Sequence, residues 1–204
     1  MSASIEQQIK NQYAKFFEKS DWKTFKTAAE YYLENAARVL TRDIKYEAKK
    51  DDKLLRRNVQ KRLYIGIACE LLLKSFYLKN GYCINKPKKD GKISKGYTYL
   101  FSQINKDDFD IADTFVFNKL MEGLYKIFDF GQDKSRVDKA LRIAKVFRNK
   151  EGHVAVRGHN YVPQNYRDIE AGLTDFYKAV FLEDLRIRFS VGIGEKTEFR
   201  IRKK

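Results

Sequence analysis

Proline is nearly missing from this chain, with two residues in 204, and glycine is scarce at eleven. That excludes a collagenous or proline-rich chain and argues against a β-sandwich, which needs more turn residues; long uninterrupted helices are favoured instead. Cysteine is limited to Cys69 and Cys83, too few for a disulfide scaffold. Cys69 lies in an apolar helical run, where a small buried thiol is the expected state, and a reducing cytoplasm fits both residues. No apolar run approaches the roughly 18 residues that span a bilayer. The N-terminal MSASIEQQIKNQYAKFF has no continuous apolar stretch of the kind a secretion signal carries. The expectation is a soluble, cytoplasmic protein without a membrane partner. With two histidines, two separated cysteines and no CxxC or HExxH, neither a metal site nor a cofactor is expected. Gly192 to Thr197 resembles the tail of a phosphate-binding loop, but Glu195 separates Gly194 from Lys196 and too few residues follow for the required helix. A hairpin turn is the better reading.

What the chain does have is hydrophobic content, 43% with 14% aromatic, and charge of one sign. At 24.1 kDa it is long enough to bury a core without staples. Forty-two Lys and Arg stand against 27 Asp and Glu, a net charge of +15. Such a charge is either tolerated as self-repulsion or used on a polyanion, with nucleic acid the first candidate and an anionic membrane surface the second.

The apolar spacing reads as helices. The first runs from a capping box at Ser4 and Gln7 to about Lys19. Ser20 or Asp21 caps a second that carries Ala28, Ala29, Tyr32, Leu33, Ala36 and Leu40. A long third runs from about Lys53 to Asn80, with Leu63, Tyr64, Ile67, Leu71 and Leu78 on its stripe and Gly81 as C-cap. Residues 81 to 96 hold five lysines (Lys86, Lys88, Lys89, Lys92, Lys95) against Asp90 and read as a mobile basic loop. After a short helical piece at 97–104, Asp107 or Asp108 caps a helix bearing Phe115, Phe117, Leu120, Met121, Leu124 and Phe128. Ser135 and Asp138 start the next, with Val137, Ala140, Leu141, Ala144 and Phe147 buried and Gly152 as its end. Pro163 opens the last, with Tyr166, Ile169, Leu173, Phe176, Tyr177 and Val180 facing inward. The C-terminus breaks the rule: Ile187, Phe189 and Val191 alternate with Arg186, Arg188 and Ser190, and Phe199 and Ile201 with Arg200 and Arg202. Strand periodicity around a glycine-containing turn predicts a basic hairpin.

One segment carries a chemical pattern, Phe147-Arg148-Asn149-Lys150-Glu151-Gly152-His153. At about 100° per residue Asn149 and His153 share a helix face, and Arg148 lies beside them. A guanidinium, an amide and an imidazole at one point suit phosphodiester chemistry. The imidazole can move a proton at a ribose 2′-OH or a leaving 5′-oxygen, while the guanidinium stabilises charge on the phosphoryl oxygens. The adjacent Arg charge disfavours the imidazolium and keeps some His153 neutral, ready to act as a base. The plain alternative is a basic helix end interacting with its last carbonyls and the dipole.

Arg148 to His153 resembles the RNxxxH form of the motif of HEPN-domain proteins, compact helical bundles rich in metal-independent endoribonucleases of bacterial defence and toxin systems. Upstream, Glu70-Leu71-Leu72-Leu73-Lys74 is similar to the Glu-x-x-x-Lys run of many members, and the resemblance covers roughly residues 20 to 185. It implies an all-α, HEPN-like bundle, a homodimer with a composite active site, and Arg148, His153, Asn149 and Glu70 as catalytic residues. It also implies an antitoxin or sensor partner. In members neutralised by adenylylation a Tyr stands two residues beyond the His; Ala155 stands there in this chain, which argues against that form of control. For Glu70 and Lys74 two readings are open: an i,i+4 ion pair at the core edge, or Glu70 orienting Arg148 or His153. His159 has no Arg five residues before it and reads as a loop residue.

The expected organisation is a helical bundle over 1–185 with an N-terminal helical extension, followed by a basic hairpin or tail over 186–204. Its expected function is RNA cleavage by 2′-OH attack. Lys86, Lys88, Lys89, Lys92, Lys95, Arg186, Arg188, Arg200 and Arg202 would form the RNA-binding surface. The competing expectation is a non-catalytic RNA-binding or assembly subunit on the same scaffold.

Overall fold

The structure, a computed structural model, describes residues 4–5, 22–39, 52–89, 93, 96–153, 163–189 and 196–203; the side chains of 52–55, 111–112 and 151–153 are not among those described. The expected first helix beyond Ile5, the Ser20/Asp21 cap, Leu40, Lys92, Lys95, Ala155, His159 and the turn at 190–195 lie outside the described residues. The described fold is mostly helical: α1 Trp22–Arg38, α2 Asp52–Lys79, α3 Phe117–Ile127, α4 Lys134–His153 and α5 Pro163–Phe181. Six short strands accompany the helices. They are β1 Tyr82–Cys83, β2 Asn85–Pro87, β3 Tyr99–Leu100, β4 Phe109–Thr114, β5 Glu183–Arg188 and β6 Glu198–Lys203, in two-stranded ladders β1–β3, β2–β4 and β5–β6.

The chain forms two compact units, residues 1–27 with 70–128, and residues 28–69 with 129–204. In the first, α2 ends where the sequence indicates. Gly81 takes φ +80°, a conformation open to glycine, and donates its N–H to the Leu78 carbonyl at 3.1 Å. The segment after it is not a loop throughout. Tyr82 and Cys83 pair with Leu100 and Tyr99, and Asn85 and Pro87 with Thr114 and Phe109. Cys83, Ile84, Asn85 and Phe109 are fully buried. The expected helix from Asp107 is likewise corrected: 109–114 is a strand, and the helix starts only at Phe117. The Phe115 N–H donates to Ile84 O at 2.8 Å and so ties the strand's end to the β2 side. The piece at 97–104 holds strand β3 and a single 3₁₀ turn, Phe101–Gln103. Tyr77 Oη donates to Leu120 O at 2.8 Å, joining α2 to α3, and its ring meets Phe76, which in turn meets the half-buried Phe128 just after α3.

In the second unit α4 and α5 run antiparallel. Arg136 bridges Asp175 at 2.7 Å, Lys139 bridges Asp168 at 2.8 Å, and Phe147 meets Tyr166 at 5.7 Å, so rising numbers on one helix match falling numbers on the other. Val137, Ala140, Leu141, Ala144 and Phe147 of α4, and Tyr166, Ile169, Leu173, Phe176, Tyr177 and Val180 of α5, are all buried, as their spacing predicts. Gly152 does not end α4, which continues to His153. On α2 the buried face is Ile65, Ala68, Cys69, Leu72, Leu73 and Phe76. Leu78 is buried as its spacing predicts, but Leu63, Tyr64, Ile67 and Leu71 are only half-buried, so over those positions the stripe read from sequence is displaced around the helix. The C-terminal hairpin forms, beginning at Glu183 rather than Arg186, with Arg186 opposite Arg200 and Ile187 opposite Phe199. Leu185, Ile187 and Phe189 are buried. Thr174 Oγ1 donates to Leu185 O at 3.2 Å, and the Phe189 N–H donates to Glu170 Oε1 at 2.6 Å, fastening β5 to α5.

Candidate active site and basic surfaces

Helix α4 carries the motif on its last turns. Its unbroken backbone sets positions 149 and 153 one turn apart, about 6 Å along the axis. Arg148 is half-buried and Asn149 exposed, whereas the side chain of His153 is not among those described. Two contacts fix the height of this end. The buried Phe147 ring lies against Tyr166 of α5, and Gly66 of α2 presses on the Arg148 backbone, where a Cβ at position 66 would stand 2.6 Å from the Arg148 nitrogen and 2.7 Å from its Cα. Helices that approach this closely need a residue without a side chain on one partner.

Three residues further along α2, Cys69 is wholly buried, and desolvation pushes its thiol up to about 12. It is a neutral packing residue at ordinary pH, not a nucleophile. Burial, followed by the nearby Glu30 and Glu183 carboxylates and Cys69, likewise raises Tyr177, whose hydroxyl faces Glu30 at 3.5 Å. Glu70 and Lys74 form the i,i+4 ion pair, Nζ to Oε1 at 3.1 Å, with side chains only 17% and 13% exposed. That meets the first of their two sequence readings. Glu70 and Lys74 belong to the first unit, Arg148 to the second.

The basic residues fall into two groups. Lys86 bridges Asp113 across the β2–β4 ladder at 2.7 Å, and Lys88 and Lys89 follow on the surface. On the hairpin, Arg186, Arg188, Arg200 and Arg202 are all exposed while Leu185 and Ile187 are buried, so alternation sorts charge from core. Arg186 and Arg200 occupy directly paired positions. Like charges at that one pair disfavour strand pairing, whereas Arg202 stands opposite Asp184 and Arg188 opposite Glu198, so the exposed face is basic with two carboxylates among its four arginines.

Sequence reasoning missed a polar cluster beside the motif. Asn58, Lys61 and Arg62 of α2 are at most 3% exposed. Lys61 Nζ lies 5.9 Å from the ring centroids of both Tyr166 and Phe189. Since Tyr166 is also the partner of Phe147, the buried ammonium stands one ring away from the helix end that carries Arg148. A signal existed: 58, 61, 62 and 65 share one helix face, so these polar residues continue the buried stripe, where charge is costly unless paired or used.

Among the described residues no three His, Cys, Asp or Glu side chains gather to hold a metal ion, and no helix is long and apolar enough to cross a membrane. Comparison with protein-family models, with curated proteins and with solved structures finds no match.

Proposed function

We propose that this protein is a metal-independent endoribonuclease of the HEPN kind, acting in a bacterial toxin or antiphage defence role in the cytoplasm. The observation that carries the reading is the continuity of α4 through residue 153, which sets Arg148, Asn149 and His153 on one stretch of helix whose height Gly66 and Phe147 fix. In this reading His153 takes the proton from the ribose 2′-OH as that oxygen attacks phosphorus, and protonates the departing 5′-oxygen. Arg148 balances charge on the phosphoryl oxygens, and Asn149 positions either group. Two copies would face each other across a composite site, and the exposed hairpin arginines would hold the strand.

The test is purified protein with single-stranded RNA in EDTA. Cleavage that leaves a 2′,3′-cyclic phosphate, is blocked by 2′-deoxy substitution, and is lost in His153→Ala and Arg148→Ala with helicity unchanged supports the reading. Cleavage of an all-DNA strand overturns the 2′-OH mechanism. A second reading, a non-catalytic RNA-binding subunit, draws on the exposed hairpin arginines, which outnumber Asp184 and Glu198 on the same face and need no motif to bind phosphates. RNA binding without cleavage by the unmutated protein selects it.

A further inference from the structure

A cleft of about 580 Å³ opens in the first unit between the end of β2, the segment before β3 and the start of α3. Its volume lies within the range of small-molecule sites, roughly 300 to 1,000 Å³. Its walls are aromatic. Tyr99 stacks on Phe115, centroids 6.1 Å apart and planes 14° from parallel, and is braced edge-on by Phe109 at 5.2 Å. The Gly96 N–H donates to the Tyr99 hydroxyl at 2.6 Å, so the ring is held at both ends. Tyr97 forms another wall. Lys119 Nζ stands 4.4 Å from its centroid and donates to its hydroxyl at 3.1 Å. Val116, also lining the cleft, is 52% exposed although apolar.

The rim is cationic. Lys86, Lys88, Lys89 and Lys119 all line the cleft, and among the described residues no carboxylate does. Lys86 and Lys119 already face Asp113 and Glu122, while Lys88 and Lys89 are exposed at the mouth. Flat aromatic walls beneath an ammonium rim match a ligand that is a flat ring at one end and an anion at the other. Stacking accepts any base through its π-face, and lysines take phosphate as point charges.

We infer that this cleft binds a nucleoside phosphate, its base among Tyr97, Tyr99 and Phe115 and its phosphate at Lys88 and Lys89. None of its residues belongs to the motif, although Lys86, Lys88 and Lys89 are among those expected on the RNA-binding surface. The same chemistry reaches it from a free nucleotide or from one nucleotide of a single strand.

Calorimetric titration with AMP, ATP and UTP, with adenosine and pyrophosphate as half-ligands, and with a uridine pentanucleotide on His153→Ala protein tests the inference. The mutation keeps the oligonucleotide intact, so loss of cleavage and loss of pocket binding are read separately. A nucleotide should bind saturably and more tightly than adenosine or pyrophosphate. Lys88→Glu/Lys89→Glu should weaken it by about tenfold or more, the effect of removing one charge-assisted hydrogen bond. Tyr97→Leu should weaken nucleotide but not pyrophosphate. Binding of mononucleotides identifies the free ligand. Binding of the pentanucleotide alone, abolished in both variants, identifies a strand. No binding of either, pyrophosphate binding as tight as any nucleotide, or indifference to both variants in a protein that retains its helicity overturns the inference.

Discussion

Gly66 of α2 and Arg148 of α4 meet backbone to backbone, with no room between them for a methyl group. An exposed helical glycine replaced by alanine gains up to about 1 kcal/mol from propensity. At this position the sign should reverse. Gly66→Ala has to push α4 away at the motif and should destabilise by about 1–3 kcal/mol, as overpacking does. Urea unfolding measures it, and a stabilised variant would mean the helices do not approach this closely.

Testing the hairpin by deletion would be a poor experiment, because Leu185, Ile187 and Phe189 are core residues and their loss would expose α5. Replacing Arg186, Arg188, Arg200 and Arg202 with glutamine leaves the apolar face alone. The slope of log affinity for single-stranded RNA against log salt should flatten by up to about 0.7 for each phosphate no longer neutralised. The cleavage rate at saturating RNA should stay as it was. An unchanged slope would remove the ribbon from the RNA surface.

Cys69 and Cys83 are both pushed up to about 12, by burial in each case, with a backbone hydrogen bond at Asn85 opposing at Cys83. A thiol ionises near 8.5 in an unfolded chain. Because the folded values are raised, the stability these thiols contribute is whole below that pH and declines as pH rises through it towards 12. At pH 8 an aromatic disulfide reagent should titrate no thiol in the native protein and two after urea unfolding. A native thiol that reacts at once would contradict the burial.

Leu182 joins α5 to β5 with φ +57°, and its side chain is exposed. A left-handed conformation costs a residue with a Cβ roughly 1–2 kcal/mol, and asparagine tolerates it better. Leu182→Asn should raise the melting temperature by about 2–4 °C, the shift that about 1 kcal/mol produces in a chain of this size. A lowered melting temperature would show that the exposed leucine is held by something other than its backbone.

Helices α4 and α5 are legible in the sequence because each has one apolar stripe and one polar back, so a single phase fits. In α2 the apolar residues surround the axis from Leu71 onward, with Leu71, Leu72 and Leu73 consecutive, and several phases fit equally well. The strands between 82 and 114 are hidden for a different reason. Their ladders are short, and Cys83 finds its partner at Tyr99, too far along the chain for local alternation to declare it. Strands β5 and β6, six residues each, do alternate and are readable. In the candidate site, the four-residue spacing from Asn149 to His153, with Arg148 beside it, can be read directly. The burial of Asn58, Lys61 and Arg62 cannot, because a lysine in a basic chain looks solvated until the helix phase is known.

The opposed arginines of the hairpin also bear on how copies of this chain avoid one another. In a two-stranded sheet each strand keeps one edge without a strand neighbour, and such an edge invites pairing with another molecule. Two ribbons brought edge to edge would bring their arginines together, with Asp184 and Glu198 offsetting only part of that charge, so the remaining repulsion acts as a guard against fibre-like stacking. A polyanion that neutralises the arginines lifts that guard at the moment it binds. Turbidity should therefore stay flat with protein concentration at low ionic strength and rise near charge equivalence with added polyphosphate, then clear again when excess polyanion recharges the surface.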